Sequence, residues 1–428
     1  PFSATVSMFI EAYNLYANCV EVEKFPPTRY NGFIMKIAII GGGASGLMAA
    51  LAAAKDSKSP IVIYERNNRV GKKLLATGNG RCNITNTDCG VGNYHGEKSG
   101  FVKAALDMFS PDDTLKFFED IGLMCTITRG GRVFPYNGQA SAVLDVLRFA
   151  VENAGVEVRA GAKVNEVKRD KTGGFRLSVS NSESEKTEFC DRLIISSGGK
   201  AAPSTGSDGA GFALLSSLGH RIIEPYPALT QLKTETAPLR GIRVNGRACV
   251  AGTDVVSEGE IQFTAYGLSG PAVMDISAAA LRGGENAVVA LDLMPHMNEG
   301  QLLGLLTERQ RRLSYLSRLS DGDFLTGMLH KKVGQALLKH TGRDLNRLAR
   351  SIKRLEFRVK GHTGWEHAQT TGGGADTSEF NASTMESKLV KGLFATGEVL
   401  DIYGDCGGYN LQWAWSSGYV AGVAVTGR

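Results

Sequence analysis

What this sequence lacks narrows its class before any motif is read. No apolar run reaches the roughly 18 residues that a membrane span requires, and the N-terminus has no basic-then-apolar signal pattern. The seven cysteines are scattered, odd in number and without a CxxC pair, which suits a reducing cytoplasm better than a disulfide framework. There is no HExxH, no Ser-His-Asp order and no clustered Cys/His set, so hydrolase and metal readings have little support and no metal is expected. The formal charge of +5 is modest and forms no long single-sign block, so neither nucleic acid nor a membrane surface is an expected partner. The densest basic stretch, Arg309 to Arg354, has a helical pattern and reads as a solvated helix face. These absences lead to the expectation of a soluble cytoplasmic protein, with its oligomeric state open.

What is present is glycine. The chain has 53 of them in 428 residues, well above the roughly 7% norm, and this calls for unusual backbone angles or close approach to a ligand. Its 43% apolar and 21% charged composition is otherwise that of an ordinary globular protein, long enough for about two or three domains.

The glycines first concentrate after "KIAII" (Lys36 to Ile40), a short apolar run of the kind that forms a buried parallel strand. "GGGASG" and an alanine-rich helix, Ala44 to Ala54, follow at once. Gly41, Gly43 and Gly46 fit G-x-G-x-x-G: the first for a tight turn, the second for backbone approach to a pyrophosphate, the third for close helix–strand packing. A second strand, Ile61 to Tyr64, ends at Glu65, where an acid holds a ribose 2′-OH and disfavours a 2′-phosphate. The cradle therefore suits FAD or NAD. The polar, glycine-containing loop Arg66 to Asn86, in place of further strand–helix repeats, favours an extended FAD. Met35, in "MKIAIIGGG", looks like a protein start, so residues 1–34 are expected to be an upstream extension without a functional role.

Further along, "AGVEVRAGAKVNEVKRD" and "RLIISSGG" (Arg192 to Gly199) read as strands continuing the first α/β domain, the former including a short strand at Val164 to Val167. Short β-rich segments dominate from about Leu229 to Leu293, and a helical pattern runs from Asn298 to Arg354. The expected division is a first nucleotide-binding part at 35–225, a β-rich insertion at 226–295, a helical insertion at 296–356 and a return at 357–428. Near the end, "GEVLDIYGDCGGYN" leads into an apolar helix with Trp413, Trp415 and Tyr419.

The chain resembles the BaiN-type, or aminoacetone-oxidase-type, NAD(P)/FAD-dependent oxidoreductases. The likeness is carried by "IIGGGASGL", "GKKLLATGNGRCNITN", "GRVFP", "TGSDGAGFALLSSLGH", "GLSGPA" and the C-terminal stretch just quoted. It implies a discontinuous Rossmann-like FAD domain, of α/β class, with an inserted β-barrel-like piece and a helical piece. It also implies FAD contacts from Gly41, Gly43, Ala44, Ser45, Gly46, Glu65, Arg66, Lys73, Asn79, Gly80, Arg81, Cys82, Asn83, Val164, Gly198, Gly397, Glu398, Gly407, Gly408, Tyr409 and Asn410. Glu398 resembles the acid that holds ribityl hydroxyls, or else it caps a helix. Gly407 to Asn410 aim backbone N–H groups and a helix dipole at the negative charge of a reduced flavin. Cys82 and Cys406 have no partner at redox spacing and read as packed thiols. Where relatives have FTH-x-GLSGP this chain has "FTAYGLSGP", so Ala265 replaces the histidine. The catalytic residues are then unknown: Arg81 either stabilises an enolate or binds an acidic substrate, or holds its loop by hydrogen bonds to carbonyls, and Tyr266 is a weak candidate in a segment that reads first as a strand-to-helix turn. His362 and His367, flanking Trp365, read as hinge residues rather than ligands.

The function implied is hydride transfer through flavin N5, with NAD(P)H as a transient donor and a conjugated C=C bond as acceptor. Gly206, Gly209 and Gly211 repeat the glycine spacing with no strand immediately before them, so a second nucleotide cradle is not expected. An oxidase of small amines such as aminoacetone, and a flavin-binding regulator without turnover, are the alternatives.

Overall fold

The computed structural model describes residues 29–30, 33–171, 173–182, 184–284, 287–313 and 321–427. Most of the expected N-terminal extension lies outside these residues. Its described part is a pair of antiparallel two-residue strands in which Arg29 faces Ile34 and Tyr30 faces Phe33.

The apolar runs "IAII" and "IVIYE" are buried along their whole length and form the middle of a five-stranded parallel sheet. The strand order is Leu393–Ala395, Arg192–Ile195, Ile37–Ile40, Ile61–Glu65, Glu157–Ala160. Strands covered on both faces need no polar alternation, which is why these segments read as continuous hydrophobic runs. The C-terminal strand pairs directly with Arg192–Ile195, so the last part of the chain completes the sheet begun at Ile37. The Lys163–Arg169 strand differs from expectation. It leaves the parallel sheet and opens a three-stranded antiparallel sheet with Phe175–Ser180 and Glu185–Cys190. Its buried residues, Val164 and Val167, stand three apart because the register with Phe175–Ser180 shifts between Val164 and Glu166, and neither says which sheet the strand joins.

The insertion has its own hydrophobic core, separate from that of the parallel-sheet domain. Its antiparallel sheet has six strands in the order Leu232–Lys233, Gly267–Ser269, Val256–Phe263, Arg243–Val250, Val288–Asp292, Leu355–Arg358. The sheet curls until its ends meet. The last strand continues to Gly361 and His362, where Lys233 N–H donates to Gly361 C=O at 2.9 Å and Leu232 bridges His362. Closure removes the open edge that would otherwise invite aggregation. The expected boundary between 356 and 357 thus cuts a strand: Leu355–Arg358 belongs to the barrel, and the return to the first domain comes after it. His362 serves the turn, its Nδ1 accepting from Gly364 N–H at 2.9 Å.

Helices Glu299–Leu313, Lys331–Thr341 and Leu345–Lys353 pack on this core through Leu302, Leu306, Val333, Leu337, Leu348 and Ile352. Their basic residues face outward and pair locally, Arg311 and Arg312 with Glu308 and Arg350 with Glu299. An antiparallel pair, Ile222–Ala228 with Thr370–Ala375, carries the chain out to the insertion and back. Among the described residues no helix is long and apolar enough to cross a membrane.

Candidate cofactor and active site

The three cradle glycines do three different jobs. Gly41 sits at φ +106°, and a Cβ there would stand 2.5 Å from Ser196 O, so the tight turn excludes any side chain. A Cβ on Gly46 would collide with Gly41 O, so the cradle helix, Ala44–Asp56, packs backbone to backbone on the turn. At Gly43 a Cβ would meet nothing within 4 Å: the space beside it is open. That is the opening a diphosphate needs in front of a helix N-terminus with unsatisfied N–H groups.

The opening belongs to a cleft, partly open to solvent, whose walls run from the Gly41 turn to the start of the C-terminal helix at Asn410 to Ala414. Gly41, Gly43, Ala44, Ser45, Glu65, Arg66, Lys73, Val164, Gly198, Glu398 and Asn410 all line it. The Ser197 hydroxyl, another wall residue, is buried there without a hydrogen-bond partner. Buried polar atoms are seldom left unpaired, and this one marks a place for a ligand group.

At the cradle end, Glu65 is 7% exposed and its carboxylate is fixed from two sides. Oε2 accepts from Gly42 N–H at 2.9 Å, while Oε1 accepts from the Asn67 backbone and side-chain amides at 2.8 Å each. Asn67 also donates to Thr205 O at 3.1 Å, and Arg66 pairs with Asp208, whose carboxyl is held below its ordinary value by that hydrogen bond despite the opposing effect of burial. The Thr205-to-Gly211 glycine segment thus folds over the ribose-side loop. It follows a short 3-10 turn, Pro203–Thr205, not a strand.

In the middle of the cleft, Lys73 Nζ lies 2.6 Å from Glu398 Oε2, and Glu398 Oε1 accepts from Thr371 N–H at 2.9 Å and Thr371 Oγ1 at 2.8 Å. The same Thr371 hydroxyl accepts from the Lys200 and Ala201 amides. Glu398 is therefore oriented by side chain and backbone groups from separate segments, and it is not a helix cap. Thr371, Asn67 and Ser197 were not singled out from the sequence: their partners lie across the fold, and no local pattern announces them.

The closing helix, Tyr409–Ala424, lies against the cradle helix. A Cβ on Gly418 would meet Ser45 O and one on Gly422 would meet Ala49 O, so the two backbones touch. Trp413 and Trp415 are buried, and their indole N–H groups donate to Gly397 O at 3.0 Å and Ile84 O at 2.9 Å. Gly397, at φ +69°, stands where a Cβ would press on Ser45. Gly408, at φ +106°, lies close enough to Thr85 that only glycine fits, and Asn410 ties the loop to itself through Gly404.

Several expected contacts stand apart from this cleft. Asn79, Gly80, Arg81, Cys82 and Asn83 are not among its walls, and neither are Gly407, Gly408 and Tyr409. The 77–83 loop is instead held by its own bonds, Arg81 N–H to Gly78 O and Cys82 N–H to Thr77 O, and Arg81 lies over the Phe134 ring at 4.7 Å. Cys82 is fully buried, and burial pushes its thiol up to about 12, the behaviour of a packed sulfur. Tyr266 is 40% exposed on a turn of the insertion and also stands outside the cleft. The described cysteines are all free thiols, and among the described residues no cluster of His, Cys, Asp or Glu is arranged to hold a metal.

Residues 35–424 match the family described as HI0933-like protein, Rossmann domain. A 3-dehydro-bile acid delta(4,6)-reductase from Clostridium scindens is 38% identical over 415 residues, covering 92% of this chain and 99% of that one. A ribosomal RNA dihydrouridine synthase from Haemophilus influenzae is 29% identical over 402 residues, covering 91% and 98%. Among solved structures, a 3-ketosteroid delta1-dehydrogenase from Sterolibacterium denitrificans is 13% identical with a TM-score of 0.49, covering 92% of this chain and 99% of that one, too distant a likeness to bear on chemistry. The chain belongs to the HI0933-like Rossmann-domain family, and it is an FAD-dependent oxidoreductase.

Proposed function

We propose that this enzyme reduces a carbon–carbon double bond conjugated to a carbonyl in a small organic substrate, with NAD(P)H as a transient electron donor. The observation that carries the reading is the 38% identity to a delta(4,6)-reductase over nearly the whole of both chains, joined to a cleft whose cradle and middle suit an extended dinucleotide. When bound, FAD supplies the hydride through its N5.

The residues of the cleft would hold the cofactor as follows. Gly43, Ala44 and Ser45 offer backbone N–H groups to the diphosphate, and Glu65 accepts from the adenosine ribose. Arg66, Val164 and Gly198 wall that end, Lys73 and Glu398 hold the ribityl chain, and Asn410 closes the far end. Among the described residues no second strand-loop-helix cradle is available for a nicotinamide dinucleotide, which supports a visiting donor. The free thiols of the described cysteines support a reducing, cytoplasmic setting.

A second reading keeps the bond type and changes the substrate. A uracil ring also has a C=C bond conjugated to a carbonyl, and the 29% identical relative is a ribosomal RNA dihydrouridine synthase. One experiment separates them: anaerobic reduction of the holoenzyme by NADH or NADPH, then addition of enones, a 4-en-3-one steroid, amines or ribosomal RNA. Flavin reoxidation by enone or steroid supports the first reading, and dihydrouridine in the RNA selects the second. Peroxide release with amine alone would mean an oxidase. No bleaching by either nicotinamide would remove the NAD(P)H link.

A further inference from the structure

Just outside the cradle cleft, three polar side chains from separate segments converge on Gly407. A Cβ there would meet Tyr409 Cε2 at 3.2 Å, Asn86 Nδ2 at 3.5 Å and Arg132 Nε at 3.6 Å. Asn86 is the scaffold: its amide donates to Gly130 O at 3.2 Å and to Gly407 O at 3.1 Å, so the hairpin that carries Arg132 is bonded to the C-terminal loop. Arg132 stands directly across from Asn86 in the pairing of Thr85–Asn86 with Arg132–Pro135. Its guanidinium is half-buried, yet among the described residues it makes no ion pair and no side-chain hydrogen bond, and the Tyr409 hydroxyl likewise has no partner. Arg66, Arg159 and Arg221, by contrast, are all paired with carboxylates. Two positions along the Arg132 strand, on the same face, the Phe134 ring carries Arg81, which also has no carboxylate partner among the described residues.

These groups stand at the rim of the cleft. Thr77 and Asn410 are cleft walls; the chain runs on from Thr77 through the 77–83 loop to Arg81, and Tyr409 immediately precedes Asn410.

We propose that Arg132, with the Tyr409 hydroxyl as a second donor, is an anchor for a carboxylate on the substrate, so that the enzyme acts on acidic enones in preference to neutral ones. The inference rests on the enone reading above and names the class of substrate within it. A guanidinium presents its N–H groups as a planar fork that matches the two oxygens of a carboxylate, and the phenol adds one further hydrogen. Burial, and after it Asp405, pushes the Tyr409 phenol up to about 12, so it keeps the proton it donates. Asp405 is itself engaged by His95, whose Nε2 lies 2.6 Å from Oδ1, and together with Asp88 it limits the positive charge at the rim. That balance suits a single carboxylate better than the multiply charged phosphates of a nicotinamide dinucleotide. Standing outside the cleft walls, the anchor selects and orients the substrate and takes no part in the bond changes.

The test uses the FAD-loaded enzyme and a matched pair of probes, a 4-en-3-one steroid with a side-chain carboxylic acid and the methyl ester of the same compound. Reoxidation of the dithionite-reduced enzyme should reach half its limiting rate at a concentration of acid about 10-fold or more below that of ester. Arg132→Gln should raise the half-saturating concentration of the acid about 10- to 100-fold, the range of a hydrogen bond to a charged group, with the limiting rate and the ester unaffected. Arg132→Lys should recover part of that loss, and Tyr409→Phe should show a smaller one. Calorimetric titration of the oxidised holoenzyme with the same two probes repeats the comparison without turnover. An Arg132→Gln enzyme that binds the acid as tightly as the wild type, or that loses acid and ester equally, overturns the proposal. So does slower flavin reduction by NADPH with acid binding intact, which would give the anchor to the phosphates of the donor. If neither probe reoxidises the wild-type enzyme, the enone reading fails, and the calorimetric difference between acid and ester still decides whether Arg132 holds a carboxylate.

Discussion

Lys73 Nζ stands 2.6 Å from Glu398 Oε2, so two residues separated by 325 positions meet in the wall of one cleft. Their side chains are 26% and 18% exposed, and each would leave an under-compensated charge if the other were removed. Glu398→Gln and Lys73→Met should each weaken FAD binding about 10- to 100-fold, in line with the roughly 1.5–3 kcal/mol of a hydrogen bond to a charged group. The double variant should lose less than the sum of the singles. Fluorescence titration of the flavin-free protein measures this, and strictly additive losses would show that the pair is not coupled.

Gly43 and Gly46 should fail in different ways. Gly46→Ala places a methyl on the Gly41 carbonyl and should cost at least about 1–3 kcal/mol of stability, visible as a lower Tm of the flavin-free protein. Gly43→Ala meets no protein atom within 4 Å and should leave that Tm nearly unchanged while greatly weakening FAD binding. Equal loss of Tm in both variants would contradict the open space assigned to the diphosphate.

The contact between cradle helix and closing helix predicts a stability defect near the C-terminus. Gly418→Val would drive a branched side chain into Ser45 O, and Gly422→Val one into Ala49 O. Each should lower stability by about 1–3 kcal/mol or more and, because Ser45 belongs to the cradle, Gly418→Val should also release FAD. Urea unfolding and bound-flavin content test the two effects separately. Deleting Gly404 to Arg428, which removes the buried Trp413 and Trp415, should prevent folding altogether, a stronger outcome than loss of cofactor alone.

His220 predicts a pH dependence unrelated to catalysis. Its side chain is buried between Glu379, 2.9 Å from Nδ1, and Ser387, 2.9 Å from Nε2, and stacks on Phe380. Burial holds the imidazole below its ordinary value, although Glu379 pulls it upward. The unfolded chain therefore binds this proton more readily, and the contribution of His220 to stability is present above about pH 6.5 and lost as the pH falls below it. The Tm should decline through that window, and His220→Gln should flatten the decline; an identical acid limb in the variant would rule this out.

The nucleotide cradle was legible in the sequence because everything that builds it is contiguous. A buried strand, a glycine turn, a helix and an acid-terminated second strand follow one another, and each leaves its own local mark at Gly41, Gly43, Gly46 and Glu65. The barrel was legible only as a run of short β segments. The short β segment at Val164 to Val167 was legible as a strand but its partner was not, and no local feature shows that Gly361 closes the sheet on Lys233.

By itself the sequence determined the α/β class, the FAD cradle and the presence of an insertion, since hydrophobic period and backbone freedom act over a few residues at a time. The tertiary structure alone decided which polar groups share a site: Lys73 with Glu398, Thr371 with Lys200, Asp275 with Cys406. It also set Arg81 and Cys82, in a loop that motif resemblance brings toward the flavin, outside the walls of the cradle cleft. The physical reason is that a hydrogen bond depends on distance and angle in space, and chain positions hundreds of residues apart acquire these only once both cores have packed.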